Sequence, residues 1–322
     1  MSSETVTVGL PVYRGERFIE EALVTLQRQT YPYFEAIISL DGPDPVCEEL
    51  CRPFLSDSRF RLVVQPQRLG WVGNINWLMA QTATPWWMYH QQDDALDPHC
   101  LNVLIDSARS APEAAVIYGD IEAFGTFTGT FAQPSVTGTA PARQLAMLYE
   151  HQIGVAFRGL TRAGALAGGI PRNEVDDFAA EVVWMASAAR FGELRRVPQT
   201  LSRKRYHDDN VHTKWDLWPV EKRIEAWTAH CAAMLEQAML VKAGAPERRL
   251  LWLAAVARLT SPRTASRYIP IGAMDASERT ALLDAFFDYV RTTKGIDVPA
   301  LLDARWDDVR GWTTAFAERR VP

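Results

Sequence analysis

Over residues 5–91 the chain switches repeatedly between two hydrophobic periods, and this switching restricts the fold more than any other feature. Thr5 to Val12 alternates and is rich in valine, the period-two signature of a strand. Glu16 to Arg28 instead sets Phe18, Ile19, Ala22, Leu23 and Leu26 at helical spacing. Phe34 to Leu40, Arg61 to Gln65 and Trp86 to Gln91 read as further strands, with helices predicted over Pro45 to Leu55 and Trp71 to Ala80. Alternation at this pace implies a mostly parallel sheet with helices on both faces. In such sheets ligands bind beyond the carboxyl ends of the strands. Leu40-Asp41-Gly42 and Gln91-Gln92-Asp93-Asp94 both fall at those ends, so their carboxylates are expected to face a crevice.

Beyond Asp120 the pattern changes. Ile121 to Phe131, in short alternating pieces with glycine and threonine, suits a hairpin; a helix over Asp176 to Arg190 and strands over Leu194 to Val197 and Leu201 to Tyr206 complete the domain. From Trp218 onward the periodicity is helical, over Val220 to Lys242, Glu247 to Leu259, Ala276 to Thr293 and Asp307 to Glu318. The expected division is therefore an α/β domain over residues 1–215 and a helical region over 216–322.

A formal net charge of −5 argues against a general nucleic-acid binder, whose footprint is a basic excess. No run approaches the length of a membrane span and the first residues lack the charged start and apolar stretch of a leader, so a soluble, cytoplasmic chain is expected. Four cysteines are too few and too scattered for a disulfide framework. Cys47 and Cys51 lie four apart on a predicted helix, half of a zinc site at most, with no second close pair to complete it.

Five ordered segments carry a resemblance. They are Val8-Gly9-Leu10-Pro11-Val12-Tyr13-Arg14-Gly15-Glu16-Arg17-Phe18-Ile19, Leu26-Gln27-Arg28-Gln29-Thr30-Tyr31-Pro32, Ile38-Ser39-Leu40-Asp41-Gly42, Arg68-Leu69-Gly70-Trp71-Val72-Gly73-Asn74-Ile75-Asn76 and Gln91-Gln92-Asp93-Asp94. In this order the chain resembles the family-two glycosyltransferases of the GT-A fold, a Rossmann-like sheet flanked by helices. The resemblance implies an inverting, metal-dependent transfer of a sugar from a nucleoside diphosphate donor, a uridine one by preference, to a hydroxyl on a saccharide or lipid-linked acceptor. Polysaccharide or glycolipid biosynthesis is the usual setting. It also leaves open a peripheral contact at the inner membrane face and a homo-oligomer.

Residue by residue, the resemblance makes Asp93 the ligand of Mg²⁺ or Mn²⁺, with Asp94 and Gln92 supporting the donor site. Gln91 departs from the family pattern by standing where a first aspartate usually lies; it contributes hydrogen bonds but no charge. Asp41 is expected to accept from the nucleobase, since a carboxylate there selects an imide N–H. Pro11 and Tyr13 would line the same pocket, and Arg68 and Asn76 would contact the donor from the glycine-rich helix entry. In Arg203-Lys204-Arg205-Tyr206-His207-Asp208-Asp209-Asn210, Arg205 would grip the diphosphate and His207 would complete the metal shell. The general base falls to Glu181 in Ala180-Glu181-Val182-Val183-Trp184, or to Asp176 or Asp177 one turn upstream. Trp215 and Trp218 are candidates for stacking on an acceptor sugar, whereas His90 and His99 read as structural. A catalytically silent nucleotide-sugar-binding protein on the same fold is the alternative, because the acidic motif is incomplete.

Overall fold

The computed structural model describes residues 4–150, 153–208, 210 and 214–318; Asp209 of the basic segment lies outside them. Two compact units partition the chain. The first comprises residues 1–137, 153–171 and 191–210; the second comprises residues 138–152, 172–190 and 211–322. Segments 138–152 and 172–190 thus group with the C-terminal helices rather than with the sheet.

The first unit holds a nine-stranded sheet. Its N-terminal half alternates strand and helix: β1 (Val6–Val12), α1 (Ile19–Gln27), β2 (Phe34–Leu40), α2 (Pro45–Cys51), β3 (Phe60–Val64), α3 (Trp71–Ala80) and β4 (Trp86–Tyr89). β1 pairs in parallel with both β2 and β4, and β2 with β3, giving the order β3-β2-β1-β4. The alternation of β1 has a direct structural reading. Val6, Val8, Leu10 and Val12 are buried in one core with Ile19, Leu23 and Leu26 of α1. On the opposite face a Cβ added at Gly9 would lie 3.1 Å from the Trp87 ring nitrogen and 3.3 Å from Leu78 Cβ, so the absence of a side chain lets α3 approach the sheet.

The other strands are β5 (Ala95–Leu96), β6 (Ala114–Gly125), β7 (Gly129–Phe131), β8 (Leu160–Arg162) and β9 (Glu193–Tyr206), with α4 (Cys100–Arg109) between β5 and β6. The sheet is mixed beyond β4: β8 lies antiparallel to β4 and β6, while β6 runs parallel to β9. The expected hairpin forms as β6 turning into β7. The two strands expected over 194–206 are one strand with a bulge, since the pairing steps from Gly119↔Val197 to Asp120↔Thr200. Pro198 sits in that bulge, where its missing N–H costs the ladder nothing.

The second unit holds α5 (Ala140–Tyr149), α6 (Ala180–Phe191) and helices over Val220–Met239, Ala245–Ala257, Ala276–Lys294 and Trp306–Glu318, with short ones over Pro262–Ala265 and Val298–Leu302. Two buried arginines close helix ends. Arg143 donates to the carbonyls of Ala189, Arg190 and Gly138, and Arg258 to those of Met147, Leu148 and Glu150. Each places a cation at the negative end of a helix dipole and satisfies carbonyls the helix leaves unpaired. No described helix is long and apolar enough to cross a membrane.

Candidate functional site

The loops leaving β1, β2 and β4 at their carboxyl ends are tied to one another. After β4, Gln92 turns back onto the loop after β1: its Oε1 accepts from Tyr13 N–H at 2.8 Å and its Nε2 donates to Tyr13 C=O at 3.0 Å. Gly15 makes room for this clasp, since a Cβ there would stand 2.7 Å from Gln92 Oε1. The Tyr13 ring, 38% exposed, carries the Arg68 guanidinium 4.1 Å from its centroid. Asp41, beyond β2, accepts from Leu69 N–H at 2.6 Å and Gly70 N–H at 3.1 Å, and lies 3.9 Å from Arg68. It thereby shapes the entry to α3, where Gly70 takes a φ of 78°. Pro11 lies on β1 opposite Ser39 of β2. Beneath this rim Ser39, Asn74 and Gln65 form a buried network: Ser39 Oγ donates to Asn74 Oδ1 at 2.6 Å, and Gln65 Nε2 donates to Ser39 Oγ at 3.0 Å.

Asn76, expected at the donor, has its amide committed elsewhere. It accepts from Ile170 N–H at 2.6 Å and donates to Ile170 C=O at 3.0 Å, holding the Gly168-Gly169 turn against α3. Asn74, one of its neighbours in the same motif, is the residue that supports the strand end.

The acidic motif is assembled by β4, β8 and β9. Asp93 is 6% exposed; its Oδ2 lies 3.0 Å from His207 Nε2 and accepts from Asn210 Nδ2 at 3.3 Å. Its Oδ1 is buried with no hydrogen-bond partner among the described residues. Burial first, and the Asp94 carboxylate second, push the Asp93 carboxyl above its ordinary range. Each Asp94 oxygen has a donor: Oδ1 accepts from Arg205 N–H at 3.0 Å, Oδ2 from Arg158 Nε at 3.1 Å. The second arm of Arg158 reaches Gln91 Oε1 at 2.6 Å. Arg205 braces the motif from β9, donating to Asp93 C=O at 3.1 Å and pairing with Glu21, its guanidinium lying over Phe18 and Phe124.

The fit to a divalent cation rests on Asp93 and His207. A buried carboxylate with one unsatisfied oxygen beside an imidazole is a donor set that suits Mn²⁺ and, through oxygen, Mg²⁺. A second cluster, Glu16, Asp44 and Cys47, brings ligand atoms within 4.8 Å of one another. Its chemistry is poorer. Asp44 caps α2 by accepting from Cys47 N–H at 3.0 Å, and burial pushes the Cys47 thiol up to about 12, so the thiolate a metal needs is disfavoured. Cys51 is likewise buried with its thiol pushed up to about 12.

Glu181 and Asp177 lie in the second unit. Asp176, Asp177 and Ala179 all take positive φ, near 50°, in the turn before α6. The turn is held by side chains: Asp177 receives Arg172 Nη2 at 2.9 Å and Asp176 receives Lys222 at 2.5 Å. Glu181 opens α6 half-buried, and its charge acts on Tyr268, whose phenol is pushed up to about 12 by burial first and Glu181 second. Phe178 packs against Trp215, Trp218 and Tyr268 at centroid distances of 4.6, 6.0 and 5.0 Å. The two structural histidines are placed simply: His90 Nε2 meets Ala22 C=O at 3.1 Å, and His99 Nδ1 meets Thr30 Oγ1 at 3.1 Å.

Sequence reasoning missed Arg158, Asn210 and Glu21. Arg158 sits in Val155-Ala156-Phe157-Arg158-Gly159, which has no motif. Only the antiparallel pairing of β8 with β4 brings it beside Gln91.

The family model described as Glycosyl transferase family 2 matches residues 7–165. No curated protein matches the sequence. Among solved structures the fold is similar to S. aureus TarS 1-349 in complex with UDP-GlcNAc, at a TM-score of 0.66 and 12% identity over 96% of this chain and 90% of that one. It is also similar to the mannosyltransferase PcManGT from Pyrobaculum calidifontis in complex with GDP-Man and Mn²⁺, at 0.55 and 15% over 98% and 85%.

Proposed function

The chain belongs to glycosyl transferase family 2 through residues 7–165, and from that premise we propose that it is an inverting, divalent-metal-assisted glycosyltransferase taking a sugar from a nucleoside diphosphate donor to a hydroxyl acceptor. The observation that carries the reading is Asp93: a buried carboxylate with one oxygen beside His207 and the other unsatisfied. Desolvating a carboxylate and leaving an oxygen without a donor is costly, and a cation removes that cost. Asp93 and His207 would hold Mg²⁺ or Mn²⁺, which when bound supplies positive charge to the departing diphosphate.

The chain's own residues account for the rest. Tyr13 and Arg68 form a cation-bearing face beside Asp41, suited to a nucleobase and its phosphates. Asp41 spends one lone pair of each oxygen on backbone and keeps others for an imide N–H, which favours uracil. The named ligands of the similar structures, UDP-GlcNAc and GDP-Man, bracket the donor class. We assign the base to Glu181, half-buried at the opening of α6, with Asp177, paired with Arg172, as the alternative. Glu181 takes the acceptor proton as the acceptor oxygen bonds to the anomeric carbon; the anomeric carbon–oxygen bond breaks and its electron pair leaves on the diphosphate.

The test is a thermal-shift and calorimetric screen of UDP- and GDP-sugars with and without Mn²⁺, on the parent and on Asp93→Ala. A donor that stabilises the parent only with the metal, and fails to do so in the variant, supports the reading. Stabilisation by no nucleotide sugar under any divalent ion overturns it.

A further inference from the structure

Where the family pattern has a first aspartate this chain has Gln91, and the site contains a cation of its own. Arg158 is 15% exposed at its side chain and its partner Asp94 is 5% exposed, so the pair is removed from solvent screening. Its two arms divide: Nε goes to Asp94 Oδ2 at 3.1 Å and Nη2 to Gln91 Oε1 at 2.6 Å. The local backbone is built to deliver it. Residues Ala156–Arg158 form a 3-10 turn, and Gly159 follows where a Cβ would lie 2.5 Å from Ile117 C=O, so only glycine lets the chain run this close to β6. Phe157 anchors the turn, buried against Tyr89 with centroids 4.8 Å apart.

We infer that Arg158 is a positioning residue, a built-in counter-cation that removes Asp94 and Gln91 from the metal's ligand set and leaves Asp93 as its sole carboxylate ligand in this motif. Guanidinium keeps its charge at every accessible pH, and its fork fixes both partners at once. Asp94's other oxygen is taken by Arg205 N–H at 3.0 Å, which leaves Asp93 Oδ1 as the motif's unsatisfied carboxylate oxygen. Cation affinity follows the number of charged ligands. With one carboxylate neutralised in place, the free protein would hold a divalent ion weakly, and a bound diphosphate would strengthen the site.

This inference rests on the proposed metal site, and it is tested by binding rather than turnover. Mn²⁺ is titrated by electron paramagnetic resonance into the full chain, free and with UDP, for the parent and for Asp93→Asn, Asp94→Asn, Arg158→Met and Arg158→Met/Asp94→Asn. The expected results are weak binding to the free parent, at least tenfold tighter binding to Arg158→Met, and reversal in the double variant. Asp94→Asn, an isosteric change, leaves the Arg158 charge uncompensated and weakens binding, but by less than Asp93→Asn, which loses the site. Unchanged or weaker affinity in a folded Arg158→Met, or a loss in Asp94→Asn equal to that in Asp93→Asn, overturns the role of Arg158 even where the parent binds Mn²⁺ with UDP. Absence of Mn²⁺ binding in every protein, with UDP present, overturns the metal site itself.

Discussion

The Asp93 carboxylate faces His207 with Oδ2, 3.0 Å from Nε2, and keeps Oδ1 buried without a hydrogen-bond partner among the described residues. Asp93→Asn retains the volume and removes the charge, so its cost falls on catalysis more than on folding. Turnover is expected to drop about 10²–10³-fold, the scale on which removing a preorganised electrostatic contact acts. Steady-state rates at saturating Mn²⁺, beside thermal melts, check this.

Asp177 is paired with Arg172, and Glu181 opens α6 half-buried. Glu181→Gln is predicted to lower kcat by about 10²–10⁴-fold, with donor binding unchanged, because a base acts on the acceptor proton alone. Asp177→Asn weakens the pair with Arg172 and loosens the turn before α6, so its effect is smaller and appears in stability as well. Paired kcat and donor-affinity measurements separate the two.

The clasp between Gln92 and Tyr13 predicts a selective defect in donor binding. Gln92→Ala removes two hydrogen bonds to backbone, worth about 0.5–1.5 kcal/mol each, and frees the loop that presents the Tyr13 ring. Gly15→Ala forces the same displacement sterically, since its Cβ would lie 2.7 Å from Gln92 Oε1. Both variants should raise the donor KM severalfold with a lesser change in kcat.

His90 sets an acid limit on stability. Its ring is buried on Ala22 C=O, and burial holds the imidazole below its ordinary value of about 6.5. Below that pH the unfolded chain takes up a proton that the folded chain refuses, so stability falls as pH drops through the window beneath about 6.5. Denaturant melts between pH 7.5 and 5.5 should show this slope, and His90→Gln should flatten it.

Much of the sheet was legible because its signal is local. Phe34–Leu40 and Trp71–Ala80 fall within the predicted limits because period and end signals coincide there. α4, α5 and β8 went unread. α5 carries buried Arg143 and Gln144 on its core side, which blurs its apolar stripe, and β8 is only three residues long. At the site, Asp93, Asp94 and Gln92 were readable as a motif at a strand end, while Arg158 was not, because its partners are 64 and 67 residues away. Asn76 illustrates the converse: a motif position whose amide is spent on Ile170, a contact invisible to local pattern.

That Asp93 holds a divalent cation against a departing diphosphate is tested most directly by the release of nucleoside diphosphate from a matched donor and acceptor in Mn²⁺ and in chelator. The parent is predicted to turn over only with the metal, and Asp93→Ala to be inactive in both conditions while melting at a similar temperature. Turnover by the parent in chelator, or by Asp93→Ala at the parent's rate, would contradict it.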